Sequence, residues 1–368
     1  MLEYIWLGGN YELRSKIKVH ETSFLCMNDL KNVPAWNYDG SSTSQTTGEH
    51  SEINLLPVSV YRNPLFKRRA DIESLLVLCE TRDQDGQPLA TNNRFKANEI
   101  FEKCKEHEPW FGLEQEYFIL TEEINEKIKN SKHEIFMLTK EMNKHPTTKE
   151  INELINEKMK NSLCTQGQYY CSVGGRNAFF RNIADRHMLA CIEAGINISG
   201  TNAEVAPYQW EFQIGPCTGI QSGDQMWVAR YLLEKIAEEE GCYIEWGPKP
   251  FDGINGSGCH ANFSTKNMRD SSNGLSLIMD AISQLSQVHT EHMAVYGEDN
   301  DKRMSGQYET AAYETFSFDI DKPVNRGASI RIGYDTLRDK KGYFEDRRPA
   351  SNCDPYLVTA AIANTCIK

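Results

Sequence analysis

The feature that most constrains this chain is an apolar stretch at 110–120 that carries two carboxylates. Its aromatic and aliphatic residues, which follow Pro109 and include Gly112, predict a buried β-strand. Because side chains alternate along a strand, Glu114 and Glu116 point to the same face, about 7 Å apart. An unpaired buried charge costs several kcal/mol, so both carboxylates need a cation. The sequence leaves two solutions open: salt bridges to arginines elsewhere, or a divalent metal site.

Composition and charge exclude several classes of protein. The chain has 368 residues, enough for two domains, and its net charge of −12 argues against nucleic-acid or basic membrane-surface binding. No apolar run approaches the ~18 residues of a membrane-spanning helix, and the first residues predict a strand rather than a leader peptide. Eleven cysteines without a C-x-x-C pair suit a reduced protein. We therefore expect a globular cytoplasmic protein that binds neither nucleic acid nor membrane.

The order of the predicted elements indicates an α+β fold with two domains. Residues 1–85 are rich in strand and turn signals, with strands expected at 19–24 and 75–79. Residues 92–368 add amphipathic helices to further strands and form a larger domain. Within that domain, 122–162 is rich in lysine and glutamate and poor in aromatic residues. This composition predicts a solvent-exposed insertion that is helical or partly disordered.

Four other stretches also place polar side chains on one face of a strand. In two of them, 209–214 and 259–264, polar residues alternate strictly with apolar ones. In 325–331, Gly327, Ser329 and Arg331 share a face, and 342–349 brings Glu345 close to Arg347 and Arg348. We expect these faces to share one cavity with the strand at 110–120. The residues expected there are Glu114, Glu116, Glu204, Glu211, Glu345, His260, Arg326, Arg331, Arg347 and Arg348.

This set of residues predicts metal-assisted phosphoryl transfer. Oxygen ligands with one imidazole suit Mg²⁺ or Mn²⁺ better than structural zinc. Arginines add planar cations that bind carboxylates and phosphates. Catalysis of phosphoryl transfer consists mainly of positioning and charge neutralisation, which metals and arginines supply. The chain has neither a Walker A loop nor a G-x-G-x-x-G motif, so a nucleotide must be held in another way.

Several motifs occur together and in order along the chain. They are Tyr-Asp-Gly-Ser-Ser-Thr at 38–43, Glu-Gln-Glu-Tyr at 114–117, Asn-Ala-Glu-Val at 202–205, Gln-Trp-Glu-Phe-Gln at 209–213 and Gly-Tyr-Phe-Glu-Asp-Arg-Arg-Pro at 342–349. As an ordered set they closely resemble the glutamine synthetases of the eukaryotic type. The match extends over nearly the whole chain and is interrupted mainly by the insertion at 122–162.

The resemblance implies a particular fold and assembly. It implies a small N-terminal β-grasp-like domain at 1–85. It also implies a larger guanido-kinase-like catalytic domain at 92–368, whose curved antiparallel sheet is flanked by helices. The family forms two stacked pentamers, so a homodecamer with active sites between adjacent subunits is expected.

The resemblance also implies two to three Mg²⁺ or Mn²⁺ ions per site, with ATP as a substrate. Matching positions imply that one metal, beside the substrate glutamate, is held by Glu116, Glu204 and Glu211. The metal or metals at the ATP phosphates are expected at Glu114, His260 and Glu345. The nucleotide pocket is expected to include Trp110, Glu114, Glu211, Asn262, Ser264, Arg331 and Tyr343.

The remaining roles implied by the resemblance concern glutamate and ammonium. Asn255, Gly256, Arg303 and Arg347 are expected to bind the substrate glutamate. Arg326 and Arg331 are expected to bind the transferred phosphoryl group. Glu309 is expected on a flap that closes over the intermediate. The ammonium site is expected to consist of Tyr170 and Glu309 with Asp39 and Ser42 of the neighbouring subunit.

The implied reaction joins ammonium to the γ-carboxylate of L-glutamate through a γ-glutamyl phosphate, giving glutamine, ADP and phosphate. Two alternatives stay open, namely a ligase of the same fold with another amine acceptor and a structural relative that has lost the chemistry. The chain departs from the family at Tyr308, where histidine is usual, and at Ile254, where tryptophan is common.

Overall fold

This computed structural model describes residues 1–20, 30–66, 72–127 and 168–367. In these residues the expected α+β fold is confirmed, because the strands form two sheets and most helices pack against the larger one. The insertion expected at 122–162 lies mostly outside the described residues. None of the described helices is both long and apolar enough to cross a lipid bilayer.

The smaller sheet contains five strands. They are β1 (Leu2–Leu7), β2 (Leu13–Lys18), β3 (Trp36–Asp39), β4 (Glu52–Arg62) and β5 (Leu75–Arg82). Their order is β2-β1-β5-β4-β3. The central pair β1 and β5 runs parallel, and the other neighbours are antiparallel.

Strand β5 confirms the strand expected at 75–79, but the strand expected at 19–24 is wrong in its described part. Val19 and His20 follow the end of β2 and belong to no strand. The chain turns back earlier than expected, because Gly8 donates from its backbone to the carbonyl of Glu12 at 2.9 Å. This tight turn starts the hairpin of β1 and β2, and β2 becomes a partly exposed edge strand.

The smaller sheet is attached to the rest of the chain through a second buried face. One face of β1 and β5 packs in the core of the smaller sheet, and the other face packs in the larger core. An ion-pair network reinforces this contact, because Arg94 binds Glu80 of β5 at 2.8 Å and Asp224 at 2.7 Å. The residues that reach the larger core are Ile5, Leu76 and Leu78.

The larger sheet carries the predicted acidic strand at its centre. Its strands are β6 (Trp110–Leu120), β7 (Ile198–Ala203), β8 (Gln209–Thr218), β9 (Tyr243–Glu245), β10 (Cys259–Ser264), β11 (Ile330–Arg331) and β12 (Phe344–Asp346). Their order is β11-β12-β10-β6-β8-β7, with β9 also on β6. Every described pair is antiparallel. The strand expected at 110–120 is therefore confirmed as β6.

The helices cover the apolar face of this sheet, where Phe111, Leu113, Tyr117 and Ile119 of β6 are buried. Local signals explain where the helices begin and end. The side chain of Asp354 caps the last helix, and Gly195 ends another with a left-handed φ of 86°. The described helices are α1 (Asn93–Cys104), α2 (Arg181–Ala194), α3 (Gln221–Glu239), α4 (Lys266–Asp270), α5 (Gly274–Gln287), α6 (His289–Met293), α7 (Asn300–Arg303), α8 (Tyr334–Asp339) and α9 (Pro355–Cys366).

Candidate active site

Strand pairing brings the predicted acidic residues onto one face of the larger sheet. In the antiparallel register, Glu114 lies opposite His260, and Glu116 lies opposite Glu211. Residues that lie opposite each other across a ladder point to the same face, so these side chains converge above the sheet. The helices cover the other face, which leaves this one open to a cavity.

Three residues form what we call the imidazole cluster: Glu114, His260 and Glu345. His260 Nδ1 lies 3.5 Å from Glu114 Oε2 and 3.5 Å from Glu345 Oε1. Burial, and then the charge of Arg347, holds the pKa of His260 well below its usual value. The imidazole is therefore neutral near pH 7 and has a lone pair to offer a metal.

Three more residues form the carboxylate cluster: Glu116, Glu204 and Glu211. One oxygen from each lies within 4.8 Å of the others. Burial and the charge of Glu204 raise the pKa of Glu116 to about 8, and burial and the charge of Glu116 raise the pKa of Glu211 to about 10. Within the described residues, no lysine or arginine forms a salt bridge with any of the three. Without a cation, these raised pKa values keep Glu116 and Glu211 protonated near pH 7, and a bound divalent cation would let all three carboxylates ionise.

Backbone and amide donors hold these carboxylates in place. The backbone N–H of Gly258 donates to Glu116 Oε2 at 2.6 Å, and the backbone N–H of Val205 donates to Glu204 Oε2 at 3.1 Å. The Gln213 side chain donates to Glu211. Each carboxylate keeps oxygen lone pairs that are not used by these bonds. The donor set, all oxygen in one cluster and oxygen with one imidazole in the other, fits Mg²⁺ or Mn²⁺.

Arginines line the side of the cavity next to the imidazole cluster. Glu345 accepts from Arg331 Nη1 at 2.7 Å and from Arg347 Nη1 at 2.6 Å. The Nε atom of Arg331 is buried and has no hydrogen-bond partner in the described part of the chain. An unpaired buried donor next to the cavity is suited to a bound anion.

Arg303 is buried, and most of its guanidinium is already bound. Its Nη2 donates to the carbonyls of Arg347, Arg348 and Pro349, at 2.7 to 3.2 Å, and its Nε donates to Asn300 at 3.1 Å. Burial lowers the pKa of Arg303 to about 10, which still leaves it charged near neutral pH. These bonds hold the side chain rigid at the cavity wall.

The structure contradicts the expectation that Arg348 shares the cavity. Its side chain is fully buried and binds Asp346 through two bonds, Nε to Oδ1 at 2.9 Å and Nη2 to Oδ2 at 2.7 Å. The cause is the alternation of side chains along the chain. Glu345 and Arg347 point into the cavity, so Asp346 and Arg348 point into the core beneath it.

These residues surround a cavity of about 500 Å³. It lies over the middle of the larger sheet and is open at one side. Tyr308 and Thr310 also line it, beside residues that the sequence predicted. The predicted residues that line it are Glu114, Glu116, Tyr170, Glu204, Glu211, Asn255, Gly256, His260, Arg303, Glu309, Arg326, Arg331, Glu345 and Arg347.

Four predicted nucleotide-pocket residues lie beside the cavity rather than on its wall. Ser264 pairs with Trp110 at the ends of β10 and β6, and Asn262 donates to Glu114 Oε1 at 2.8 Å. Tyr343 is half exposed just before β12. These residues extend the polar face of the sheet from the imidazole cluster towards solvent.

Asp39 and Ser42 do not reach the cavity of their own chain. Asp39 ends β3 and accepts hydrogen bonds at 2.7 Å from the hydroxyls of Ser41 and Ser42. The side-chain bond from Ser41, with that from Ser42, lowers the pKa of Asp39. The carboxylate is therefore charged, and it is exposed on the surface of the smaller sheet.

Sequence reasoning missed Arg269. Its guanidinium lies over the ring of Trp110, 3.8 Å from the ring centroid, and its Nη1 donates to the hydroxyl of Ser264 at 3.0 Å. It holds one face of the Trp110 ring at the rim of the polar face. Arg269 lies in the short helix α4, which follows β10. The strand pattern of alternating polar and apolar residues therefore could not predict its role.

Comparisons with known proteins identify relatives over almost the whole chain. A family model described as "Glutamine synthetase, catalytic domain" matches residues 93–368. A putative glutamine synthetase of Acanthamoeba polyphaga mimivirus is 48% identical over 366 residues, which cover 99% of this chain and 93% of the relative. The chloroplastic glutamine synthetase of Brassica napus is 45% identical, and the alignment covers 99% of this chain and 77% of the relative. A cytosolic glutamine synthetase isozyme of Arabidopsis thaliana is 44% identical, and the alignment covers 99% of this chain and 94% of the relative.

Proposed function

This chain belongs to the glutamine synthetase family and functions as a glutamate–ammonia ligase, and we propose that its two acidic clusters and the adjacent arginines carry the reaction. The observation that carries this assignment is the carboxylate cluster. Three partly or fully buried carboxylates line a cavity together with arginines, but none of them forms a salt bridge among the described residues. They are therefore suited to bind a cation. Glutamate, ammonium and ATP are the substrates.

The first step transfers the γ-phosphoryl group of ATP to the γ-carboxylate of glutamate. Divalent metal ions, held by the imidazole and carboxylate clusters, supply positive charge that neutralises the phosphates. Arg331 and Arg326 bind the oxygens of the moving phosphoryl group, and the unpaired Nε of Arg331 supports this role. We propose Mg²⁺ or Mn²⁺, with two to three ions per site.

Glutamate is held next to the carboxylate cluster, where the loop before β10 lines the cavity. Arg303 and Arg347 bind its carboxylates, and Asn255 and Gly256 contact it from the loop before β10. A side chain at Gly256 would collide with the Pro248 carbonyl, since an added Cβ would lie 2.2 Å from that oxygen. The loop therefore presents backbone rather than side chain at this point.

In the second step ammonia replaces the phosphate. Ammonium binds among Tyr170, Glu309 and, from the neighbouring subunit, Asp39 and Ser42. Asp39 takes one proton from ammonium, and the nitrogen lone pair attacks the acyl carbon. The carbon–oxygen bond to phosphate breaks, and the nitrogen gives its second proton to the released phosphate. The exposed position of Asp39, outside the cavity of its own chain, supports a site shared between subunits.

The shared site supports a closed ring, and we propose a homodecamer of two pentamers located in the cytoplasm. The test measures phosphate release by the purified chain with ATP, glutamate, ammonium and Mg²⁺, together with the native mass. We expect activity that requires all three substrates, in a particle of about ten chains. Activity with an organic amine but not with ammonium would show that the amine is the substrate. An assembled ring without turnover would favour a structural role.

Replacing Asp39 with alanine is expected to raise the KM for ammonium roughly tenfold to a hundredfold, because a charged hydrogen bond to the cation is lost. The KM for ATP should change little. Steady-state kinetics with ammonium varied at saturating ATP and glutamate measure the first KM, and kinetics with ATP varied at saturating ammonium and glutamate measure the second. Asp335→Ala, which removes an exposed carboxylate from α8, is the matched control. An unchanged KM for ammonium in Asp39→Ala would contradict the shared site.

A further inference from the structure

The loop that carries Glu309 has a strained backbone. Tyr308 and Glu309 have φ values of 53° and 61°, in the left-handed region that non-glycine residues seldom adopt. Such a conformation persists only where surrounding contacts determine it. Both residues line the active-site cavity, so the contacts that hold this loop also determine the shape of the cavity mouth.

Most of the described hydrogen bonds of this loop tie only its base. Tyr313 donates from its backbone to the carbonyl of Met304 at 2.8 Å, and Gly306 donates to the carbonyl of Ala311 at 3.3 Å. The Thr310 hydroxyl binds carbonyls within the same loop and at the end of α7. These bonds close the loop on itself but do not fix its tip against the opposite wall.

A contact across the cavity mouth fixes the tip. The ammonium of Lys249 lies over the ring of Tyr308, 4.4 Å from the ring centroid. Lys249 belongs to the loop that presents Asn255 and Gly256 to the cavity, and its Nζ also donates to the carbonyl of Ile254 in that loop. A cation held over an aromatic face attracts it without needing exact hydrogen-bond geometry. The contact therefore joins the wall assigned to glutamate with the loop that carries Glu309.

We propose that Lys249 and Tyr308 form a latch that holds the Glu309 loop closed over the acyl phosphate. Both are positioning residues, since neither is assigned a contact with the reacting atoms. The inference rests on the proposed function, because it concerns the fate of the γ-glutamyl phosphate. When the loop opens, water attacks the acyl carbon, the carbon–oxygen bond to phosphate breaks, and glutamate and phosphate form instead of glutamine.

The latch is tested by the ratio of glutamine formed to phosphate released. In Lys249→Met, which keeps the length of the side chain but not its charge, uncoupled phosphate release is expected to rise roughly twofold to fivefold. Tyr308→Leu, which removes the ring, should have the same effect. The conservative variants Lys249→Arg and Tyr308→Phe keep a cation and an aromatic face, so they should retain the wild-type ratio.

The double variant Lys249→Met/Tyr308→Leu separates a latch from two independent effects. If the two side chains act through one contact, the double variant should be no more uncoupled than either single variant. Lys105→Met, at an exposed lysine distant in sequence from both loops, is the control for loss of a lysine charge. Native mass and melting temperature of each variant show whether the ring stays assembled.

Two results would overturn the latch. One is an unchanged ratio of glutamine to phosphate in both Lys249→Met and Tyr308→Leu. The other is equal uncoupling in the conservative variants, which would assign the effect to general packing. Failure of the proposed function looks different, because the wild-type chain itself would then form no glutamine from ATP, glutamate and ammonium.

Discussion

Replacing Glu211 with glutamine is expected to lower kcat by roughly 10³-fold, about 4 kcal/mol of lost transition-state stabilisation. Glutamine keeps the size of the side chain and its ability to hydrogen-bond, but it removes one of the three charges of the carboxylate cluster. A metal ion that neutralises the phosphates would then be held weakly or out of place. Steady-state kinetics over a range of Mg²⁺ and Mn²⁺ concentrations measure the loss.

A second measurement in the same variant needs no turnover. Added Mg²⁺ or Mn²⁺ should raise the melting temperature of the wild-type chain, because the ion binds the folded state and brings together carboxylates that repel one another. In Glu211→Gln this metal-dependent rise should be small or lost. Glu102→Gln, at an exposed position on α1, is the control and should behave like the wild type. A full metal-dependent rise in Glu211→Gln would remove Glu211 from the metal site.

Arg331→Ala is expected to lower kcat by roughly 10³-fold or more, the range associated with an arginine that stabilises a transferring phosphoryl group. The KM for ATP should change much less, because the charge of Arg331 acts mainly in the transition state. Arg331→Lys should recover only part of the rate, since lysine has no planar fork and no Nε donor. Rapid quench of phosphoryl transfer and steady-state kinetics measure the two quantities.

The matched control for Arg331 is Arg338→Ala. Arg338 lies seven residues further along the chain, on α8, and pairs with Asp335 and Asp339 on the surface. It should leave kcat unchanged, since exposed ion pairs contribute little. If Arg331→Ala kept its kcat within tenfold of the wild type while Glu211→Gln lost activity, the phosphoryl group would have to be held by other groups, such as Arg326.

Much of the candidate site could be predicted from short stretches of sequence. Alternation along β6 placed Glu114 and Glu116 on one face, and the same rule applied to His260 on β10. These predictions succeeded because the orientation of a side chain on a strand depends only on its neighbours in sequence. The ordered motifs added the family, and the comparisons confirm it.

Other features could not be predicted because they depend on residues far apart in the chain. Alternation alone does not say which face is the core, so Arg348 was expected in the cavity but lies buried against Asp346. Arg269 meets Trp110 only because α4 lies beside the end of β6. The contact between Lys249 and Tyr308 joins two loops that no local pattern connects.

The sequence by itself determined the strand at 110–120, the face shared by its two carboxylates, and the family of this protein. The tertiary structure decided which of the carboxylates lack a described salt bridge, that Arg348 lies buried against Asp346, and that Lys249 contacts Tyr308. The physical reason is the range of the interactions. The alternation of side chains is set within a few residues, whereas strand register and the pairing of charges depend on how distant segments pack.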